Sequence, residues 1–225
     1  MHGRIRVPTQ PLGSKTMRLV LASASPARLA VLRAAGVDPV VVVSGVDEDA
    51  VAARLVDPGP AELVTALALA KAEAVVEQVA GEYPDAVVVG CDSMLVADGP
   101  EIVGKPGTPE RARERWARVA GRSAQLVTGH AVVRLGGGRR TAEADGSEST
   151  TVRFGTPTDE ELEAYLATGE PMVVAGGFTL DGYGGWFIEG VDGDPSSVIG
   201  ISLPLTRHLL GEVGVSVTDL WRRDD

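Results

Sequence analysis

The stretch MRLVLASASPARLAVLRAAG at residues 17–36 joins two structural periods end to end. Residues 17–22 are apolar except for Arg18 and read as a buried strand. Residues 26–35 (PARLAVLRAA) read as a helix that Gly36 closes, with Ser25 as its N-cap and Pro26 at the first helical position. A strand that feeds directly into a helix is the building unit of an α/β protein. The junction is also chemically suggestive. Ser25 can accept a helix N–H, Pro26 has no N–H to leave unpaired, and the helix dipole puts positive potential at this end.

Outward from this unit the alternation continues. PVVVVSG at 39–45 reads as a second strand leading into the acidic cluster Asp47, Glu48 and Asp49. From about Pro60 to Glu82 the chain favours helix and is apolar over a broad face, with Lys71 as the only cation inside it. AVVVG at 86–90 reads as a buried strand whose carboxyl end delivers Cys91, Asp92 and Ser93, and Asp98-Gly99 suits a tight turn into EIVGKP. A helix follows from Thr108-Pro109 to about Val119, and then the strand-like QLVTGHAVVRL. Residues 136–149, rich in glycine and charge, read as a flexible hairpin tip before TTVRF. Thr158 to Glu161 matches a capping box for the next helix, 176–194 must be turns and short strands, and PLTRHLL at 204–210 reads as a terminal helix. Strands alternating with helices predict α/β architecture, and the hairpins predict a mixed sheet with flanking helices.

Composition limits the function. The formal charge of −10 disfavours nucleic acid, whose binding depends on basic residues displacing counterions, but permits a small phosphorylated ligand held by local cations. No run of eighteen apolar residues occurs, so no membrane partner is expected and the reading is a cytoplasmic protein. One cysteine and three scattered histidines build no recognisable zinc site, so carboxylates must hold any metal. Cys91, at the end of an apolar strand, reads as an inert buried thiol. Neither a P-loop nor a dinucleotide-binding G-x-G-x-x-G is present.

Candidate chemistry therefore rests on a few groups. Ser23, Ser25 and Arg28 can converge on a phosphate at the strand-to-helix junction. Asp92 stands at a strand's carboxyl end, where α/β sheets bind ligands, and Lys105 follows on the paired strand. Lys71 is either a snorkelling side chain or a buried cation aimed at an anion, and Glu48 is a candidate ligand for a hard cation.

Taken in order, LASASPARLAVLRAAGV, VDED, ALALAKAEAV, VVVGCDSMLV, VGKP, GHAVV, TTVRF and GGFTLDGYGGWFIEGVDGDPSSVIGISLPL resemble the Maf family of nucleoside triphosphate pyrophosphatases, historically called septum formation inhibitors. The resemblance runs from about Arg18 to Gly214. It implies two lobes around a cleft, similar to inosine triphosphate pyrophosphatases, with 17–225 as one catalytic domain behind a flexible extension at 1–16. It further implies hydrolysis of nucleoside triphosphates to monophosphate and diphosphate, assisted by a divalent cation (Mg²⁺ or Mn²⁺). Asp92 matches the family's proton acceptor, while Ser23, Ser25, Arg28, Glu48, Lys71 and Lys105 match its polar site positions. Asp92 and Glu48 would hold the metal, which answers the weakness of an ordinary carboxylate as a base toward water. The sequence departs from the common pattern at Ala27, Ser93 and Asp181, positions associated with base choice, so no base preference carries over. A non-catalytic nucleotide-binding regulator of cell division is the rival reading. A homodimer is the assembly to test.

Overall fold

The computed structural model describes residues 17–97 and 102–222; the N-terminal sixteen residues and the Asp98-Gly99 turn lie outside them. The strand-to-helix unit forms as its sequence dictates, with β1 at Arg18–Ala22 and α1 at Pro26–Ala34. The Ser25 hydroxyl accepts the Arg28 N–H at 3.4 Å, and Gly36 leaves the helix at φ +85°. Beyond it come β2 (Val40–Val41), α2 (Glu48–Ala52), α3 (Pro60–Val79) and β3 (Ala86–Val96). Next are β4 (Ile102–Val103), α4 (Pro109–Val119) and the long hairpin β5 (Ser123–Gly136) and β6 (Arg139–Phe154). The chain ends with α5 (Asp159–Ala167), β7 (Ile188–Asp192), α6 (Pro195–Ile199) and α7 (Leu203–Glu212). The strands make one mixed sheet in the order β2-β1-β3-β5-β6-β7, with β4 also paired to β3.

Alternation along β3 distributes the core. Val87, Val89 and Cys91 face a cluster with Leu32 of α1 and Leu209 and Leu210 of α7. Ala86 and Val88 face a second cluster with Ala68, Ala72, Val75 and Val79 of α3. A third core gathers at the far end of the sheet around Trp116, whose ring meets Phe154, Tyr165 and Phe187 edge-on at centroid distances of 5.6 to 5.9 Å. This aromatic end is built on the same sheet that the helices sandwich.

Three expectations need correction. The predicted strand at 39–45 pairs only at Val40 and Val41, because β1 ends at Ala22 and offers no further edge; Val43 to Val46 instead line a cavity. The segment 136–149 is not a flexible tip. Its turn is only Gly137-Gly138, both at positive φ, and residues 139–149 are strand paired to β5, with Arg139, Arg140 and Asp145 exposed and the half-buried Glu143 paired to Arg140. Finally, β3 does not end at Gly90 but runs to Val96, since β5 pairs with it as far as Gln125.

Candidate active site

That last correction locates the site. β5 occupies one edge of β3 throughout, whereas on the other edge β1 pairs only as far as Gly90 and β4 begins at Leu95. Among the described residues, 91–94 therefore have no strand partner on that edge, and a cavity of about 450 Å³ opens there. Asp92 lies inside a strand rather than at its end, but beyond the end of its parallel neighbour. All the candidates line this cavity: Ser23, Ser25, Ala27, Arg28, Glu48, Lys71, Asp92, Ser93, Lys105 and Asp181.

The site uses both faces of β3. Asp92 points toward α3, sharing that face with Gly90 and with Gly129 directly opposite on β5. A Cβ on Gly90 would stand 2.1 Å from the Ala68 carbonyl oxygen, and one on Gly129 would stand 2.3 Å from the Val64 backbone. Only the absence of side chains lets α3 settle this low on the sheet. The close approach brings the Lys71 ammonium within 2.6 Å of Asp92 Oδ1 and within 2.6 Å of Glu48 Oε1. Lys71 and Asp92 are largely buried, while Glu48, in the first turn of α2 beside its Asp47 N-cap, remains open to solvent. Burial raises the Asp92 carboxyl above its ordinary range, with Lys71 and Arg28 opposing the shift, so this carboxylate is a better base than an exposed one.

On the opposite face Ser93 meets Arg28. The guanidinium donates from Nε to the Gly200 carbonyl (2.7 Å), from Nη1 to the Cys91 carbonyl (2.9 Å) and Ser23 Oγ (3.1 Å), and from Nη2 to Ser93 Oγ (3.1 Å). The protein thus takes all but one of its N–H donors. The Cys91 carbonyl is one that the missing strand neighbour leaves open, and Arg28 fills that place. Ser93 Oγ also lies 3.0 Å from Thr128 Oγ1, which donates to the Ser197 carbonyl at 3.1 Å. Beneath it His130 is fully buried. Ser202 N–H can only donate to its Nε2 (2.8 Å), so Nδ1 carries the hydrogen toward the Thr128 carbonyl at 3.2 Å. Burial, aided by Arg28, lowers His130 to about 4, which keeps it neutral. Burial pushes the Cys91 thiol up to about 11, consistent with an inert residue.

Sequence reasoning missed Gly90, Gly129, Thr128, His130 and the Gly200 carbonyl as supports of the site. Glycines in the interior of strands were the available signal for the first two.

Fold and site together define an α/β protein with a polar cleft in which an ammonium bridges two carboxylates beside a hydroxyl-lined helix start. The sequence model of the Maf-like protein family matches residues 18–213, and the chain belongs to that family. It is 73% identical over 205 residues to a Saccharopolyspora erythraea protein named nucleoside triphosphate pyrophosphatase, covering 91% of this chain and 97% of that one. Proteins of the same name from Nocardia farcinica (65% identical, covering 92% of this chain and 98% of the relative) and Mycobacterium marinum (57%, covering 91% and 96%) are also similar. Among solved structures, the nucleoside-triphosphatase / dITP/XTP pyrophosphatase of Mycobacterium abscessus is matched with a TM-score of 0.36 and 19% identity, over 68% of this chain and 94% of that one.

Proposed function

We propose that this chain hydrolyses nucleoside triphosphates to nucleoside monophosphate and diphosphate in the cavity on the free edge of β3, acting in the cytoplasm to remove non-canonical or surplus nucleotides. The observation that carries this reading is the bridged pair: Lys71 lies 2.6 Å from both Asp92 and Glu48, beside the Ser23–Arg28 turn. The names of the close relatives point the same way.

In this reading the positive end of α1 and the Ser23 and Ser25 hydroxyls receive phosphate oxygens, with Lys105 closing from the rim. Arg28 contributes charge and one remaining N–H, and otherwise holds Ser23 and Ser93 in place. Asp92 accepts a proton from the water whose oxygen bonds to the α-phosphorus, while the bond to the bridging oxygen breaks and diphosphate leaves. Lys71 neutralises the carboxylates at rest and turns to the phosphates when they arrive.

A divalent cation, Mg²⁺ or Mn²⁺, fits this donor set. Two carboxylate oxygens already converge on one cation, and hard ions take one or two carboxylates together with substrate phosphates. Asp92 and Glu48 would hold it. Once bound, it supplies Lewis acidity and positive charge against the phosphate oxygens.

The test is diphosphate release from a panel of nucleotides with Mg²⁺ or Mn²⁺. Asp92→Asn should lower kcat by about a hundredfold or more while nucleotide binding persists. Near-normal turnover by that variant would overturn the assignment of Asp92, and a wild type that binds nucleotide without turnover would overturn hydrolysis itself.

A further inference from the structure

Among the described residues outside the bridged pair, a heavily engaged carboxylate is that of Glu170, between α5 and the glycine-rich segment. It accepts hydrogen bonds from Tyr165 Oη (3.1 Å), from the backbone N–H groups of Tyr183 (3.1 Å) and Gly184 (3.1 Å), and from the Thr179 hydroxyl. Gly184 N–H is shared with Thr179 Oγ1 at 3.1 Å. The seat is shaped for a carboxylate: a Cβ at Gly182 would stand 2.4 Å from Glu170 Oε2, and one at Gly184 would meet Thr179 and Tyr165 at about 2.6 Å. Burial raises the Glu170 carboxyl, but the hydrogen bonds from Thr179, Gly184, Tyr183 and Tyr165 outweigh it and hold the group below its ordinary range, ionised.

Through Thr179, Glu170 ties down part of one wall of the cavity. Val174, Ala175, Phe178, Thr179, Leu180 and Asp181 line that wall, whose Gly176 stands against Leu95, three residues along β3 from Asp92. The phosphates belong at the charged end, so the nucleobase falls against this wall of apolar side chains and one carboxylate. Among the described residues the segment contains no regular helix or strand from Phe178 to Gly182. Phe178 is buried against Phe154, Gly176 N–H bonds the Gly104 carbonyl (3.3 Å) and Trp116 bonds the Gly177 carbonyl (3.0 Å), while beyond Phe178 the polar ties of the segment run to the Glu170 cluster.

We propose that Glu170 is a positioning residue for base selection: by gathering Thr179, Tyr183 and Gly184 onto one carboxylate it sets the placement of Leu180 and Asp181 against the nucleobase. The proposal rests on the nucleotide-hydrolysing reading of the same cavity. Glu170→Ala removes every one of these bonds. Glu170→Gln keeps the oxygen that receives Tyr165, Thr179 and Gly184, and loses the acceptor facing Tyr183.

The experiment measures binding of a panel of purine and pyrimidine triphosphates by calorimetry in Ca²⁺, and diphosphate release with Mg²⁺, for wild type and both variants. Loss of a cluster of charge-assisted bonds predicts that Glu170→Ala lowers the ratio of best to worst nucleotide by about tenfold or more. The fall should come through Kd and KM of the best substrate, with its saturated kcat changed by less than about threefold, since the proton acceptor is on β3. Glu170→Gln should recover most of the ratio. Chymotryptic cleavage at Tyr183 or Trp186 should quicken in Glu170→Ala, reporting the loosened wall. An even loss of kcat across the panel, an unchanged ratio in Glu170→Ala, or equal affinities in the wild type would overturn the proposal. A wild type that discriminates in binding yet releases no diphosphate sinks hydrolysis alone and leaves the calorimetric ratio to decide on Glu170.

Discussion

Arg28 is bound so fully by its own protein that its shape matters as much as its charge. Its fork reaches Gly200, Cys91, Ser23 and Ser93 at once, which an ammonium on a flexible stem cannot do. Arg28→Lys keeps the charge and should still lower kcat/KM for diphosphate release by about a hundredfold, with Ser93→Ala costing less. Retention of near-normal kcat/KM in Arg28→Lys would show that charge alone suffices. Lys71 makes the complementary case. Its ammonium holds two carboxylates that would otherwise repel, so Lys71→Met should bind Mn²⁺ more tightly than wild type when nucleotide is absent, by about tenfold, as read by electron paramagnetic resonance. The same variant should hydrolyse nucleotide poorly. Much of this level was legible in the sequence, because Ser25, Arg28, Lys71 and Asp92 stand out as polar groups against apolar surroundings. The bridging of Asp92 and Glu48 by Lys71 was not, since it depends on how deeply one helix sits on the sheet.

The height of α3 above the sheet is set by Gly90 and Gly129. Alanine at either place would drive a methyl into the backbone of α3 at Ala68 or Val64, where no side chain can swing away. Overpacking of this kind costs about 1–3 kcal/mol or more. Each variant should lower the urea midpoint, and activity should fall further than stability explains because Lys71 is lifted from Asp92. Equal stability with full activity would mean that α3 tolerates the shift. Element boundaries set by local chemistry were readable in advance. The Thr158 capping box and the Ser25 cap depend only on neighbours a few residues away. Elements set by pairing were not. The charged residues 139–149 look like loop until β5 supplies their backbone partners, and β3 looks finished at Gly90 until the same strand carries it on. Glu170 left no local mark, because its partners come from the helix before it, at Tyr165, and from the loop and turn after it, at Thr179, Tyr183 and Gly184.

At the scale of the whole molecule, burial of neutral His130 links stability to acidity. In the unfolded chain a histidine titrates near 6.5, whereas the folded protein lowers it to about 4. Between these values the unfolded state binds the extra proton, so stability is complete above about pH 6.5 and falls as pH drops toward 4. The full interval is worth about 3 kcal/mol. Protonation would also turn Nε2 into a donor facing the Ser202 N–H, breaking the tie between β5 and the start of α7. Thermal melts of wild type between pH 7 and 4.5 should decline more steeply than those of His130→Gln, and parallel declines would assign the acid sensitivity to other groups. The unpaired reach of β3 has a further consequence. An open strand edge invites a strand from another chain, and edges of this kind seed aggregation. Here Arg28 sits on the Cys91 carbonyl, at the point where such a strand would begin to pair. The residue that ties Ser23 to Ser93 in the cleft thereby also caps this stretch of strand edge. Arg28→Ala should form light-scattering assemblies on mild warming sooner than Asp92→Asn, even where the two variants melt alike.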